Sequence, residues 1–501
     1  MKNFFSNAPA ENDLLKNYKF YLLISVIALL CSLLGTGSIW ELFGCINTAV
    51  DSNVFFTIAR MMFEKGAAPY RDAFDHKGPL IYLIDYVALC MGGAHTIFIL
   101  EFCAYWVSVF LLYLCIRKFS SPSVRIASLA IFAKLAKAWV ADGDLPEEFS
   151  LPAVCFAYYA LIVFYEKKQI SFLHAFMGGF SLAWILFLKF NCAAVYVVLT
   201  GLAVLWYLKN KQFKECLLFI SYFLCGCLVL AIPIFIYLYN KQALSHCWND
   251  YIIFNLEYAH IEEKPFTIIL MACGRLCKLI FERLSYMLSF IIIIGVTIMY
   301  FAPWMKITYR RRIFIIILFI ICMTNLMVTL PGRYFYDHYF FPIIPLVILY
   351  FILGADIIKN KYFQISMFAI ACLAIVHIVV AQCLLLKNAT HWKQFEPDPI
   401  VAQAIRENNQ IVLVYTGGPR TGVWYRKYHA LPSAKYFYCP HVEFKGERLK
   451  ELLSCFTPEK SPVIFVPKSD QYHKEILAIL ETHYSSTQTR DGILYLSAPK
   501  Q

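Results

Sequence analysis

Long apolar blocks separated by short polar segments run through the 501 residues of this sequence. Most blocks are about twenty residues long, the length of an α-helix that crosses the hydrocarbon core of a bilayer. The pattern therefore predicts a polytopic α-helical membrane protein with about eleven transmembrane helices. The predicted spans lie near residues 20–37, 95–116, 125–141, 150–165, 171–188, 191–208, 215–238, 284–304, 313–330, 340–355 and 363–386.

The composition supports a membrane protein and excludes a soluble one. Hydrophobic residues make up 60% of the chain and charged residues only 16%, against roughly 25% charged residues in soluble domains. The net charge of +12 is typical of basic cytoplasmic loops between spans. No nucleic-acid-binding motif is present, so we expect membrane lipids as partners and no nucleic acid.

The basic residues between the spans predict the topology. With residues 1–19 in the cytoplasm, the Lys and Arg clusters that follow alternate spans all fall on the cytoplasmic side, as the positive-inside rule requires. The first span lacks a cleavage site and is typical of an uncleaved signal anchor. We expect a transmembrane module over residues 20–386 in the cytoplasmic membrane, with residues 38–94 as its first outside loop.

Two apolar stretches are predicted to lie on the membrane surface rather than cross it. Pro79–Gly93 is short for a span, and counting it as one would place the later basic clusters outside. Residues 266–283 carry charged side chains at helical spacing within an apolar segment, as interfacial helices do.

The polar tail from residue 387 to residue 501 has the pattern of a small α/β domain outside the cytoplasm. Strands are predicted at 411–417, 463–467 and 492–497, and helices near 399–408 and 469–482. Whether Cys439 and Cys455 of this tail form a disulfide stays open.

The first outside loop contains the densest group of polar residues. Asp51 opens an amphipathic helix that Gly66 is expected to stop. The following turn contains Arg71, Asp72, Asp75, His76 and Lys77. Ionisable groups beside a membrane are costly unless they bind something, so this loop is the predicted site.

These motifs resemble those of the GT-C superfamily of membrane glycosyltransferases, in particular bacterial members related to protein O-mannosyltransferases and to the lipid A aminoarabinose transferase. The elements that carry the resemblance are Asp51, Ile58-Ala59-Arg60, Gly66, Lys77-Gly78-Pro79, residues 142–152, Lys189-Phe190-Asn191, Gly332-Arg333 and His338-Tyr339.

The resemblance implies a reaction and a set of residue roles. Such enzymes take a sugar from a polyprenyl-phosphate-type donor, so we expect an inverting transfer, of a hexosyl or a pentosyl group, at the outer face of the membrane. Cations stabilise the leaving phosphate and a carboxylate takes the acceptor's proton. The implied phosphate-binding residues are Lys77, Arg71, Lys189 and Arg333. The implied catalytic carboxylates are Asp51, as base, with Glu147 and Glu148, which support the acceptor or join Asp51 in holding a divalent cation. The residues implied for acceptor or metal are Asp75, His76, His338 and Tyr339.

Each of these residues also has a purely structural interpretation. Asp51 is a plausible helix N-cap, Lys77 can extend from an interfacial helix, and Glu147 and Glu148 follow Pro146 at a helix start, where acids are favoured. Lys189, His338 and Tyr339 suit a membrane interface. Asp75 and His76 can simply shape the turn.

Other functions also remain open at this level. Glu101, Lys134 and Lys137 within apolar segments keep a transporter or flippase of lipid-linked saccharides in consideration. A polysaccharide polymerase or ligase and a membrane anchor are further alternatives. The sequence leaves open the sugar, the acceptor (lipid, glycan or protein), a metal cofactor and the oligomeric state.

Overall fold

A bundle of apolar helices precedes a five-stranded sheet in the computed structural model of the chain. The structure describes residues 18–35, 50–117, 119–139, 143–260, 265–330, 336–358, 396–416, 421–437, 446–468 and 474–497, with scattered residues between 362 and 380. The helices up to residue 357 are α1 (Tyr18–Gly35), α2 (Val50–Lys65), α3 (Pro79–Met91), α4 (Ile97–Ile116), α5 (Pro122–Trp139), α6 (Pro146–Lys167), α7 (Phe172–Leu186), α8 (Ala194–Lys209), α9 (Phe213–Asn240), α10 (Leu244–Cys247), α11 (Phe254–Ala259), α12 (Pro265–Glu282), α13 (Leu284–Phe301), α14 (Tyr309–Thr329) and α15 (Ile344–Ile357). A π-helix, Trp248–Ile253, joins α10 to α11, and 3₁₀ turns Ala94–Thr96, Phe190–Ala193 and Asp337–Ile343 precede α4, α8 and α15.

Seven helical segments of the described chain are long and apolar enough to cross a membrane, which confirms a polytopic helical protein. They are Ala94–Ile116, Pro146–Lys167, Phe190–Lys209, Phe213–Asn240, Leu284–Phe301, Tyr309–Thr329 and Asp337–Ile357.

The other four predicted spans are not among these seven, so the number eleven is not established. The apolar stretches Phe20–Leu33 in α1 and Phe172–Leu186 in α7 are short. Helix α5 is 18 residues long and carries three basic residues. The span at 363–386 lies largely outside the described residues.

Glycines bring α7 and α9 into direct backbone contact. A Cβ added to Gly179 would lie 1.8 Å from the carbonyl oxygen of Phe223, and one added to Gly226 would lie 1.9 Å from that of Phe176. Small residues allow such close approach between membrane helices. This pair therefore holds the end of α7, which leads directly to Lys189.

Both stretches predicted to lie on the membrane surface are helical. Helix α3 has 13 residues, too few to span a bilayer, and ends at Gly92, whose φ is +147°. Helix α12 is the second, and its Arg275 donates a hydrogen bond to the carbonyl oxygen of Leu330.

The tail forms a mixed sheet with strand order β2-β1-β3-β5-β4. Strands β1 (Ile411–Val414), β3 (Val463–Pro467) and β5 (Gly492–Ser497) and helices α16 (Pro399–Glu407) and α19 (Lys474–His483) match the predicted elements. The elements that the sequence pattern missed are β2 (Leu431–Pro432), β4 (Tyr484–Gln488), α17 (Thr421–Lys427) and α18 (Gly446–Ser454). Strand β2 has two residues and β4 is mostly exposed, so neither has the apolar pattern of a buried strand. Cys439 lies outside the described residues.

Candidate functional site

Helix α2 places Asp51 in the loop that the sequence predicts to lie outside the cytoplasm. Its apolar residues Val54, Phe55 and Ile58 are buried, and Asp51 lies in the first turn, with its side chain 28% exposed. The helix ends as predicted at Gly66, which has a φ of +63° and donates its N–H to the carbonyl oxygen of Met62 at 3.0 Å. A glycine in this conformation is a frequent helix terminator.

The turn after α2 is held by its own backbone and by one tyrosine. Tyr70 has a φ of +67°, which is uncommon for a non-glycine residue, and its amide donates to the carbonyl oxygen of Ala73 at 2.8 Å. Its buried hydroxyl donates to the carbonyl oxygen of Lys77 at 2.7 Å. These hydrogen bonds fix the backbone position of Lys77 at the end of the turn.

A close backbone contact explains why glycine follows Lys77 in the Lys-Gly-Pro element. A Cβ on Gly78 would lie 2.1 Å from the carbonyl oxygen of Phe187, and the amide of Gly78 donates to the carbonyl oxygen of Leu188 at 3.0 Å. Only glycine allows this approach. The contact places Lys77 next to the segment that contains Lys189.

A chain of charged and polar groups links Asp75 to Asp51. Asp75 Oδ1 lies 3.2 Å from Nδ1 of His76, and the Lys77 ammonium donates to Nε2 of His76 at 2.8 Å. Lys77 Nζ lies 4.0 Å from Oδ2 of Asp51. Tyr82 donates to the other oxygen of Asp75 at 2.8 Å. The Lys77 ammonium is thus supported from behind and faces Asp51.

The protonation states suit this arrangement. Burial and the neighbouring Lys77 charge lower the pKa of His76, against the opposing effect of Asp75, so the ring is neutral at pH 7 and accepts from Lys77. Burial acts to raise the pKa of Asp75, but its contacts with His76, Lys77 and Tyr82 outweigh burial and leave that pKa below its ordinary value. Asp75 is therefore a buried carboxylate.

Lys189 and Glu147 form a second lysine–carboxylate pair. Lys189 Nζ lies 2.5 Å from Oε1 of Glu147, whose side chain is only 1% exposed. His338 Nε2 lies 3.7 Å from the same oxygen, and the Lys189 ammonium lies 4.0 Å above the centre of the Tyr339 ring. Glu147 follows Pro146 at the start of α6, as expected from the sequence.

The two pairs belong to one site. His338 lies close enough to Glu147, Lys189, Asp51 and Lys77 to interact electrostatically with all four. Two ammonium groups and two carboxylates from separate parts of the chain therefore lie within electrostatic range of His338. Such a surface can neutralise a phosphate and place a carboxylate beside it.

A family model matches most of the membrane region. It covers residues 11–368 and is described as the N-terminal domain of the putative competence-induced protein Ccs4. The chain belongs to this family. No curated protein matches the Ccs4-family sequence.

Solved structures resemble this Ccs4-family chain in fold. ArnT from Cupriavidus metallidurans bound to undecaprenyl phosphate matches with a TM-score of 0.57 and 10% identity, over 98% of this chain and all of ArnT. The apo form of the same protein matches with a TM-score of 0.55 and 10% identity, over 97% of this chain and 100% of ArnT. The Archaeoglobus fulgidus oligosaccharyltransferase, in complex with Zn and sulfate, matches with a TM-score of 0.47 and 12% identity. The match covers 89% of this chain and 68% of the oligosaccharyltransferase. The similarity to the two ArnT structures confirms the predicted fold.

Two predicted site residues of the Ccs4-family chain, Arg71 and Glu148, are not brought into this cluster, and the position of a third is not described. Arg71 binds Asp72 and donates to the carbonyl oxygen of Lys241 at 2.8 Å. Glu148 accepts hydrogen bonds from Tyr105 and from the amide of Leu145, and it is buried. Arg333 lies outside the described residues.

Glu148 belongs instead to a buried group of four carboxyls in this Ccs4-family fold. Asp85, Glu101 and Asp144 are the others, and all four side chains are almost fully buried. Glu101 accepts the amide of Asp144 at 2.6 Å. Burial raises the pKa of Asp144 to about 8, with the charge of Glu148 adding to the rise. Asp144 is therefore mostly protonated at pH 7.

Two residues that sequence reasoning did not assign support His76. Tyr258 stacks on its ring, with 5.6 Å between centroids, and Asn255 donates to its carbonyl oxygen at 2.6 Å. Tyr258 belongs to an aromatic series at helical spacing that also includes Trp248, Tyr251 and Phe254. That spacing was the only signal for it.

An apolar cavity of about 800 Å³ adjoins the site. Phe187 and Phe190, on either side of Lys189 in the chain, line it together with residues of α9 and the π-helix, such as Phe235 and Tyr251. A hydrocarbon chain would be compatible with this lining.

Among the described residues, no group of three or more His, Cys, Asp or Glu side chains is arranged to hold a metal ion. The two site carboxylates, Asp51 and Glu147, each have a lysine as neighbour. Any divalent cation there would need further ligands from water or a donor phosphate, as Mg²⁺ often takes.

Proposed function

We propose that this protein is an inverting glycosyltransferase that moves a sugar from a polyprenyl-phosphate-linked donor to an acceptor at the outer face of the cytoplasmic membrane. The observation that carries the proposal is the cluster of two lysine–carboxylate pairs, Asp51 with Lys77 and Glu147 with Lys189. The GT-C fold and the undecaprenyl phosphate bound by ArnT support it.

The donor would bind through its phosphate and its lipid. Lys77 and Lys189 contact the phosphate oxygens, and Arg333 is proposed to join them. The apolar cavity between Phe187 and Phe235 takes the first part of the polyprenyl chain. Burial of that chain adds roughly 25 cal/mol per Å² of apolar surface, which retains a donor that diffuses in the membrane.

The chemistry is a single displacement at the anomeric carbon. Asp51 accepts the proton of the acceptor hydroxyl, and the acceptor oxygen forms a bond to C1 of the sugar. The bond between C1 and the phosphate oxygen breaks, and its electron pair leaves with the phosphate. The lysines stabilise that developing charge, and attack opposite the leaving group inverts the configuration.

The remaining residues have supporting roles. Glu147 orients Lys189, while Asp75 and His76 hold Lys77 in place. His338 and Tyr339 are proposed to line the acceptor side, because His338 lies among all four charged groups. Arg71 and Glu148 have other partners and are left out of the reaction.

Two of the three charged residues behind the transporter alternative, Glu101 and Lys134, have local partners in the described part of the chain. Glu101 accepts the amide of Asp144, and the Lys134 ammonium lies 2.8 Å from Nδ1 of His377. These charged groups within apolar segments have local structural partners.

A direct test is an assay of the purified protein with a panel of radiolabelled polyprenyl-phosphate hexoses and pentoses. The proposal predicts release of the lipid phosphate with at least one donor when a cell-envelope extract supplies the acceptor. Absence of release across the panel, with folded protein, would overturn it.

A further inference from the structure

The C-terminal domain docks on the back of the helix that carries Asp51. Helix α17 lies against α2, and a Cβ on Gly422 would be 2.6 Å from the backbone carbon of Asn53. Only a glycine allows the two backbones to come this close. The docking is therefore built into the sequences of both helices.

Arg426 makes the principal polar contact of this interface. Its guanidinium donates to Oδ1 of Asn53 at 3.0 Å and lies 4.4 Å above the centre of the Phe56 ring. Asn53 is fully buried and Arg426 is 7% exposed. A buried guanidinium that is hydrogen-bonded and stacked has a fixed position, because moving it would leave its N–H donors buried without a hydrogen-bond partner.

The geometry of α2 connects this contact to the site. Residues advance by about 100° per position around an α-helix, so Asn53 and Asp51, two positions apart, lie on nearly opposite sides. Asn53 and Phe56 share one side and face the C-terminal domain. Asp51 faces Lys77 on the other. The family model ends at residue 368, so Arg426 lies outside the region that defines the family.

We infer that Arg426 is a positioning residue: the C-terminal domain holds the first turn of α2 through Arg426 and Asn53, and thereby fixes Asp51 beside Lys77. This inference rests on the proposed function for its catalytic consequence. The restraint on α2 is a property of the fold and can be measured without any substrate.

The experiment compares Arg426→Gln with Arg60→Gln in the full chain. Arg60 also crosses this interface, donating to the carbonyl oxygens of Ala430 and His429 at 3.3 and 3.5 Å. It lies nine positions beyond Asp51, about 13 Å along the helix. It is therefore a control of the same type at the same interface, away from the reacting groups.

Hydrogen exchange of the peptide covering residues 51–58 is the first measurement. Arg426→Gln should raise its exchange rate about tenfold or more, while Arg60→Gln should leave it near that of the wild type. Asn53→Leu should behave like Arg426→Gln, and Asn53→Asp, which keeps the acceptor, should not. These two variants decide the question if Arg426→Gln fails to fold.

Transfer kinetics are the second measurement. At matched folded protein, Arg426→Gln should lower kcat about tenfold or more with little change in the KM for the donor, and Arg426→Lys should recover part of the loss. A role limited to stability would lower the Tm, raise exchange across the whole protein and not specifically in residues 51–58, and leave kcat unchanged. That result would overturn the inference. If the wild type transfers no sugar, the proposed function fails, and the exchange data alone decide the positioning role.

Discussion

Replacing Lys77 tests how the site binds a donor phosphate. The side chain is 9% exposed, and its ammonium uses one donor on Nε2 of His76 at 2.8 Å. Asp51, at 4.0 Å, is beyond hydrogen-bonding distance. A lysine has three donors, so the donors not used by His76 remain for a phosphate oxygen.

The expected loss follows from that contact. A hydrogen bond to a charged group contributes about 1.5–3 kcal/mol, which corresponds to about tenfold to 150-fold in transfer efficiency. Lys77→Ala should therefore lower kcat/KM for the donor by about tenfold or more. Lys77→Arg should restore part of it, because a guanidinium keeps the charge but not the geometry of an ammonium.

The assay is the initial rate of sugar transfer over a range of donor concentrations, with binding of polyprenyl phosphate alone as a second readout. Lys65→Ala is the matched control, because Lys65 is an exposed lysine at the end of α2 that is far from Asp51. Normal kinetics and normal lipid binding in Lys77→Ala, at normal expression, would remove Lys77 from the site.

Three further predictions concern the buried pair, pH and topology. Glu147→Gln or Lys189→Met alone should destabilise the protein by about 3–5 kcal/mol, since each leaves a buried charge unpaired. The double variant should be destabilised by less than the sum of the two single variants, and additive Tm shifts would refute the pairing. The folded protein keeps the Asp144 proton up to a pH of about 8, whereas the unfolded chain releases it near 3.8. The free energy of unfolding should therefore fall as pH rises through that window, by at most about 1.4 kcal/mol per pH unit, and equal pH slopes of the Tm in wild type and Asp144→Asn would contradict this. Cysteines placed at positions 72 and 118 on a Cys-depleted background should label from opposite sides of the membrane, and labelling from the same side would contradict the topology.

The order of elements could be predicted because membrane spans and buried strands have simple periodic patterns. Local sequence alone predicted the end of α2 at Gly66. It also predicted the strands around Val412, Phe465 and Leu494. The number of spans could not be predicted, because α5 combines the length of a span with three basic residues. Length and hydropathy alone do not decide such a helix.

The site could be predicted only in part, because nearness in sequence is not nearness in space. Arg71 is six positions from Lys77, but the tight turn at Tyr70 and Ala73 directs it to Asp72 and Lys241. Lys189 is far from Lys77 in sequence, yet the contact of Gly78 with Phe187 and Leu188 brings its segment alongside.

Contacts between distant elements had no sequence signal. The approach of Glu147 to Lys189 depends on how α6 packs beside the turn before α8. The support of His76 by Asn255 and Tyr258 depends on α11 packing against the turn that contains His76. Neither relation is visible in spacing or composition.

Asp51→Asn tests the central claim most directly. Asp51 lies inside the first turn of α2, where asparagine keeps the shape of the side chain but cannot accept a proton. If Asp51 is the general base, transfer from the polyprenyl-phosphate donor should fall by about 100-fold to 10,000-fold, with the Tm and gel-filtration profile unchanged. A parallel wild-type assay with a chelator separates this role from a metal-ligand role, because only the latter loses activity on metal removal. Transfer by Asp51→Asn at the wild-type rate, in equally folded protein, would contradict the account.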